Sequence, residues 1–161
     1  MNKVQKILVP INFSEDSANG LKYAVSLAKK TQAELVVLHV TEKKEADSFL
    51  DLLAVMEGSP MLNPPAAIPV DQLLREKALD LYRFVEKVVR NPGRLKITRK
   101  IVLGDKAKKI ARVAKEEGID LVVLGVRKES LARGKFLKMI SRFNCPVLLN
   151  PPFSGAWPEM A

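Results

Sequence analysis

Cysteine is almost missing from this sequence, and so are aromatic residues and long apolar runs. With Cys145 alone, the chain cannot form an internal disulfide, which is typical of a protein in a compartment that keeps thiols reduced. No stretch approaches the roughly 18 consecutive apolar residues that a membrane-spanning helix needs. The first residues also lack the apolar segment and cleavage site of a signal peptide. These absences favour a cytoplasmic protein without a membrane partner.

Positive charge is scarce in the first half of the chain and abundant in the second. The net charge is +9, yet residues 1–82 hold 9 Lys/Arg against 11 Asp/Glu, whereas residues 83–142 hold 18 against 6. Such asymmetry is found in surfaces that bind nucleic acid and also in ordinary lysine-rich exteriors. Few aromatic residues interleave with the basic ones, so the sequence favours a solvated exterior over a nucleic-acid-binding surface.

Short apolar runs alternate with amphipathic helical patterns along the chain. The runs at 7–11, 34–40, 120–125 and 146–150 are continuous, which is typical of strands covered on both faces, and the more polar run at 96–102 indicates a strand near a sheet edge. The intervening patterns predict helices, including a long one that starts at Asp71. This order predicts an α/β fold, a three-layer αβα sandwich around a five-stranded parallel sheet with right-handed crossovers.

One domain, residues 1–150, is predicted, with a variable insert at 41–70 and a tail at 151–161. The glycine and prolines between Gly58 and Pro69 predict irregular structure, after a short amphipathic helix around 49–56. A loop of this length inside a compact domain is usually functional or mobile. The insert is therefore expected to cover the sheet or to meet a partner.

Groups suited to catalysis or metal binding are few. His39 lies in an apolar strand just before its carboxyl end, a position typical of structural histidines. Cys145 has no second cysteine or histidine nearby in sequence, which favours a packing role. No Cys and His spacing suits a metal ion, and the carboxylates show no pairing for acid–base chemistry. We expect no catalytic residue and no metal site.

Three segments resemble the universal stress protein family. They are residues 6–17 with the helix that follows and Leu38-His39-Val40, residues 102–125, and residues 144–149. The resemblance covers roughly residues 5–150 and implies a Rossmann-like, adenine nucleotide alpha hydrolase-like fold with strand order 3-2-1-4-5. In that order the ligand crevice lies between the first and fourth strands. Family members commonly form homodimers, often through the last strand, here residues 146–150.

Some members of this family bind ATP through a glycine-rich run after the fourth strand. The run has a glycine, two residues, a second glycine, nine residues, and a glycine followed by serine or threonine; its glycines let backbone N–H groups approach the phosphates. Here Gly125 is present, but Lys128 stands at the second position. Gly134 follows after only five more residues, and Lys135 replaces the hydroxyl residue. The run is therefore shortened and altered.

The segment after the first strand also departs from the pattern of ATP-binding members. Asn12 stands where they usually carry an aspartate that contacts the nucleoside, and Phe13 replaces a commonly small residue. Asparagine keeps an acceptor oxygen, so the contact would be weakened and not abolished. The ring of Phe13 could stack on a base or block the pocket.

Two hypotheses stay open for the crevice, and a basic nucleic-acid-binding protein is a third. In the first, Arg127, Lys128, Arg133 and Lys135 contact phosphates as point charges, and the chain is an ATP- or AMP-binding switch or weak ATPase. In the second, which the altered spacing favours, it is a non-enzymatic regulatory stress protein with ATP binding weakened or lost. The candidate binding residues are Pro10, Ile11, Asn12, Phe13, Val40, Gly125, Val126, Arg127, Lys128, Gly134 and Lys135.

Overall fold

Five strands form one parallel sheet in the order β3-β2-β1-β4-β5. The structure is a computed structural model that describes residues 3–47, Leu52 and residues 67–150, with residues 67–69 and Lys128 described by their backbone alone. The strands are β1 (Lys6–Pro10), β2 (Glu34–Thr41), β3 (Ile97–Leu103), β4 (Leu121–Gly125) and β5 (Val147–Asn150). The predicted strand order is confirmed, and the more polar β3 lies at an edge.

Helices cover both faces of this sheet. They are α1 (Glu15–Thr31), α2 (Ala67–Val88), α3 (Lys106–Glu116), α4 (Lys128–Leu131) and α5 (Gly134–Ser141). A further helical stretch occupies residues 43–47, directly after β2. Within the described part of the chain, no helix is long and apolar enough to cross a membrane.

The core is split into two layers by the alternation of side chains along the strands. Ile7 and Val9 of β1 point to one face, where they pack in a cluster with Leu21 of α1 and Leu81 of α2. Leu8 points to the other face and packs in a cluster with residues of α3 and α5. Successive residues of a strand face opposite sides, so a strand covered on both faces is apolar throughout. The three-layer arrangement predicted from the sequence is confirmed.

Helix α2 begins earlier than the sequence predicts. It starts at Ala67 instead of Asp71, and Pro69 lies in its first turn. The first N–H groups of a helix have no partner inside the helix, so a proline there removes no hydrogen bond. The prediction that Pro69 prevents regular structure was therefore wrong. The helix predicted around 49–56 lies outside the described residues except at Leu52, and so does the tail at 151–161.

Candidate functional site

A cleft opens at the carboxyl end of the sheet, between β1 and β4. It has two adjoining lobes that share lining residues, among them Asn12 and Lys106. The first lobe, about 200 Å³, lies between the first turn of α1 and the segment after β4. The second lobe, about 160 Å³, lies between the ends of β1 and β2 and reaches α2. The connections that follow β1 and β4 run in opposite directions here, toward β2 and toward β5, and such a switch point is where doubly wound sheets bind ligands.

A larger groove, of about 620 Å³, lies at the opposite end of the sheet. It runs between the end of α1 and residues 91–96. Lys29 of α1 donates a hydrogen bond to the carbonyl oxygen of Asn91 across this groove. Ligand sites of parallel sheets are found outside the carboxyl ends of their strands, so the two-lobed cleft is the candidate site.

The turn that leads from β1 into α1 uses the side chain of Asn12. Its Oδ1 accepts hydrogen bonds from the backbone N–H of Ser14, at 3.1 Å, and from the hydroxyl of Ser14. Ser14 in turn caps α1, because its Oγ accepts from the N–H of Ser17 at 3.2 Å. The Asn12 oxygen that was proposed to contact a nucleoside is therefore already hydrogen-bonded within this turn. Within the described residues, the amide nitrogen of Asn12 has no hydrogen-bond partner, so it is the group that can meet a ligand.

Phe13 adopts a backbone conformation that is uncommon for a residue with a side chain. Its φ is +65°, in the left-handed region, which costs of the order of 1 kcal/mol or more. The ring is held by packing, with centroid distances of 4.5 Å to His39 and 5.7 Å to Phe84. The Nζ of Lys77 lies 5.6 Å from its centroid. Phe13 thus forms a wall of the second lobe.

His39 lies under that ring, with only 5% of its surface exposed. Its Nδ1 donates a hydrogen bond to the carbonyl oxygen of Ile11 at 2.7 Å. Burial lowers the pKa of His39 and outweighs the hydrogen bond to Ile11, which acts in the opposite direction. The ring is therefore neutral at pH 7, with an acceptor at Nε2 that has no hydrogen-bond partner. His39 also lines the second lobe.

Gly125 is required by the packing of α1 against the end of β4. A Cβ on Gly125 would lie 1.8 Å from the carbonyl oxygen of Asp16, and one on Gly20 would lie 2.7 Å from the backbone nitrogen of Gly125. Atoms cannot approach that closely, so both positions need glycine. Gly125, the first glycine of the altered run, is therefore needed for this packing whether or not a phosphate binds.

Arg127 is paired with an acidic residue of α1. Its Nε lies 2.7 Å from Oδ2 of Asp16, and the side chains are 69% and 18% exposed. This pairing raises the pKa of Arg127, first through the hydrogen bond and then through the charge of Asp16. Asp16 and Arg127 both line the first lobe. The positive charge proposed to meet a phosphate therefore lies beside a negative one.

The remaining candidates divide between the cleft and the surface. Pro10, Ile11 and Val126 line the first lobe, and Val40 lines the second. Arg133, Gly134 and Lys135 are exposed and belong to neither lining, and Lys128 begins α4. Of these four cations, Arg127 alone belongs to the described lining of the cleft.

Sequence reasoning missed several residues that line the cleft. These are Asp16 and Ser17 from the first turn of α1, Lys106 from α3, Lys77 from α2, and Ser130 from the segment after β4. The first three follow strand ends at the carboxyl edge of the sheet, and that position is a signal that could have found them. Lys77 lies in mid-helix and has no such signal.

The described part of the cleft lining is electrically balanced. Among the described lining residues, the cations are Lys77, Lys106 and Arg127, and the anions are Asp16, Glu42 and Glu45. With His39 neutral, their formal charges cancel, although the whole chain carries +9. Among the described residues, no cluster of three or more His, Cys, Asp or Glu side chains is arranged to hold a metal ion.

Residues 3–151 match the model of the universal stress protein family. The chain belongs to this family. The universal stress protein MJ0577 of Methanocaldococcus jannaschii is 28% identical over 153 residues, which cover 90% of this chain and 93% of that protein. The solved structure of MJ0577 superposes with a TM-score of 0.65 at 21% identity and covers 96% of this chain and all of that one. The Rossmann-like α/β fold of the family is thereby shown for this chain.

Two solved family structures were determined with adenine nucleotides. A universal stress protein in complex with cAMP superposes with a TM-score of 0.58 at 20% identity and covers 92% of this chain and 98% of that one. The universal stress protein of Archaeoglobus fulgidus in complex with dAMP gives 0.52 at 14% identity and covers 92% of this chain and 98% of that one. At these identities the likeness concerns the fold.

Proposed function

We propose that this protein is a non-enzymatic, cytoplasmic stress-response regulator that binds an adenine nucleotide, ATP or AMP, weakly in the two-lobed cleft. The observation that carries the proposal is the cleft itself. It lies at the switch point of the sheet and joins a lobe walled by Phe13 to a lobe that contains Lys106 and Arg127. An aromatic wall suits a base, and cations suit a phosphate. The nucleotides bound by the cAMP- and dAMP-binding members of the family support this choice of ligand.

Weak ATP binding follows from the state of the glycine-rich run. Gly125 is fixed against α1 by packing, and Gly134 is exposed and outside the lining. Few backbone N–H groups of this segment are therefore available to surround three phosphates. Lys106 has no ion-pair partner among the described residues, and it is the cation best placed to meet a phosphate.

A non-enzymatic role is supported by the weak basicity of His39. Its Nε2 is free, but burial lowers the pKa of the ring, which disfavours the transfer of a proton from a ligand to this nitrogen. We expect no phosphate release above the buffer control when the purified protein is incubated with ATP. Phosphate release that is lost on Lys106→Gln would show an ATPase instead.

The test of binding is calorimetric titration of the nucleotide-stripped protein with AMP and with ATP. Lys106→Gln should weaken binding about tenfold, since a charge-assisted contact to phosphate is lost. Lys108→Gln is the matched control, because Lys108 is exposed on the same helix and outside the lining. No heat at millimolar nucleotide would contradict nucleotide binding. Equal weakening by both variants would contradict the cleft as the site.

We also infer a homodimer formed through β5. This strand pairs with β4 on one side, and no described strand pairs with its other edge, which a second copy could therefore meet. Family members commonly dimerise in this way. Light scattering at micromolar concentration should give twice the monomer mass of 17.9 kDa. A monomer mass would contradict the inference.

A further inference from the structure

We infer that one face of this protein binds the phosphate backbone of a nucleic-acid duplex, without regard to base sequence. This surface, the basic face, consists of the exposed residues of α3 and α5 and of the arginines that flank α5, Arg133 and Arg142. It lies on the side of the sheet to which Leu8 points, and α1 and α2 cover the other side. The inference goes beyond the proposed function, because it concerns a surface outside the cleft.

The charge asymmetry of the sequence becomes an asymmetry between the two sides of the sheet. Helices α1 and α2 together carry seven Lys/Arg and six Asp/Glu, whereas α3 and α5 carry seven Lys/Arg and a single Glu. The two helical layers therefore hold equal numbers of cations and differ in their anions. Such a one-sided distribution gives the basic face a positive potential that attracts polyanions.

The exposed cations of the basic face recur at the spacing of a helical stripe, every three or four residues. On α3 they are Lys108, Arg112 and Lys115. On α5 and its C-cap they are Lys135, Lys138 and Arg142. The apolar side chains of both helices pack in one shared cluster against the sheet. Two neighbouring helices therefore present their cations to solvent side by side.

Most of these cations have no anionic partner. Among the described residues, Arg112 is the only cation of the two stripes in an ion pair, with Oε1 of Glu116 at 2.8 Å from its Nε. The two side chains are 66% and 59% exposed, and an exposed pair of this kind contributes little stability. The cations of the basic face can therefore contact phosphates without the loss of strong internal bonds.

The shortage of exposed apolar groups on the basic face favours nucleic acid over other polyanionic partners. Leu137, which is 60% exposed, is the one large apolar side chain that is exposed among the described residues of this face. The core of a protein interface is apolar, and a helix that lies on a membrane needs an apolar stripe toward the lipid. A nucleic acid needs neither, because phosphate contacts supply its non-specific binding.

The aromatic residues of this face favour a duplex over a single strand. Phe136 and Phe143 are partly buried in the cluster against the sheet, and the exposed Tyr82 lies on α2 at the other side. Proteins that bind single strands stack the bases on aromatic side chains, whereas a duplex keeps its bases stacked inside. The scarcity of aromatic residues in the sequence therefore argues against single strands and not against a duplex.

The experiment is fluorescence anisotropy of a labelled DNA duplex of about 20 base pairs, titrated with the full chain at about 50 and 200 mM KCl. We expect a dissociation constant in the micromolar range at the lower salt concentration. Binding should be about a hundredfold weaker or more at the higher one, as for roughly four or more phosphate contacts. A second duplex of unrelated sequence should bind equally well.

Two matched variants locate the binding surface. The first combines Lys108→Gln, Lys115→Gln and Lys138→Gln on the basic face, outside the cleft lining. The second combines Lys22→Gln, Arg83→Gln and Lys87→Gln, all exposed on α1 and α2. Both lower the net charge by the same amount, so they differ in the side of the sheet that loses it. The first should weaken duplex binding about tenfold or more and reduce the salt slope by about three, and the second should bind like the wild type.

Thermal melts establish that both variants fold, and other results would overturn the inference. No duplex binding at the lower salt concentration would contradict it. Equal losses in the two variants would assign binding to the overall charge of the chain instead of the basic face. A single strand of the same length bound as tightly as the duplex would contradict the choice of a duplex. Binding to phosphatidylcholine vesicles with about 30% phosphatidylserine, without binding of the duplex, would assign the face to a membrane surface.

Discussion

The two ends of the parallel sheet differ in how completely their polar groups are hydrogen-bonded. At the amino-terminal end, Oδ2 of Asp120 accepts from the backbone N–H groups of Gln5 and Lys6, at 2.8 and 2.9 Å, and Glu117 bridges Lys6 and Lys100. At the carboxyl end, His39 has an unpartnered nitrogen and Phe13 has a left-handed backbone. At the amino-terminal end these polar groups bond to one another, which stabilises the fold. The carboxyl end leaves hydrogen-bonding capacity unmet at His39, which is a mark of a binding site.

The largest effect is expected from adding a methyl group at the carboxyl end. Gly125→Ala would place a Cβ 1.8 Å from a backbone oxygen, and we expect a loss of about 3 kcal/mol or more, as for severe overpacking. Gly134→Ala is the matched control, because nothing lies within 4 Å of the added Cβ and the residue starts a helix. It should be neutral or stabilise by up to about 1 kcal/mol. Urea denaturation measures both, and equal effects would contradict the close contact with α1.

The next largest effect is expected at the amino-terminal end. Asp120→Ala removes the acceptor of two backbone N–H groups and should cost about 2 kcal/mol of unfolding free energy. Asp120→Asn keeps an acceptor oxygen and should cost less. Nucleotide affinity should be unchanged in both variants, because this end of the sheet is remote from the cleft. A loss of affinity in a folded Asp120 variant would contradict the separation of the two ends.

The carboxyl end should make the stability of the fold depend on pH through His39. Burial holds the pKa of His39 below its ordinary value, so the unfolded chain takes up the proton first as the pH falls. The stabilising contribution is complete above about pH 6.5 and is lost as the pH drops below that value. His39→Gln should lose this part of the pH dependence of the melting temperature. An identical profile between pH 5 and 7 would show that His39 is not protected from protonation.

The smallest effect is expected from Glu117 at the other end. Hydrogen bonding to Lys100, and then its charge, lowers the pKa of Glu117. Its contribution is therefore present above the ordinary glutamate pKa of about 4.3 and is lost as the pH falls below it. Glu117→Gln should flatten the melting profile below about pH 4.5 and leave the profile near pH 6 unchanged. A change near pH 6 would contradict the assignment of the two pH ranges to the two ends.

The fold was predictable because four of the five strands carry a continuous apolar signal. A run such as residues 7–11 must be covered on both faces, and alternation with helices then requires a parallel sheet. The start of α2 was not predictable by the same means, since Pro69 is read as a helix breaker unless the helix is known to begin two residues before it.

The site was predictable only in part. The resemblance placed the cleft between β1 and β4, and Pro10, Asn12 and Val126 line it. The pairing of Arg127 with Asp16 joins residues 111 positions apart, and the fit of Gly125 against α1 depends on backbone distances. Neither of these two contacts produces a periodic pattern in the sequence. A sequence pattern gives the identity of a charged residue but not whether another residue already neutralises it.

The position of β1 in the middle of the sheet has a consequence for synthesis of the chain. β1 can pair with β2 early, but its other neighbour, β4, begins roughly 80 residues after β2 ends. At about 5–20 residues per second, the ribosome needs about 4 to 16 s to deliver it. During that interval the nascent chain presents one unpaired flank of an apolar strand. Such a flank is a natural target for chaperones that bind extended segments, so yield in the cell should depend on their supply.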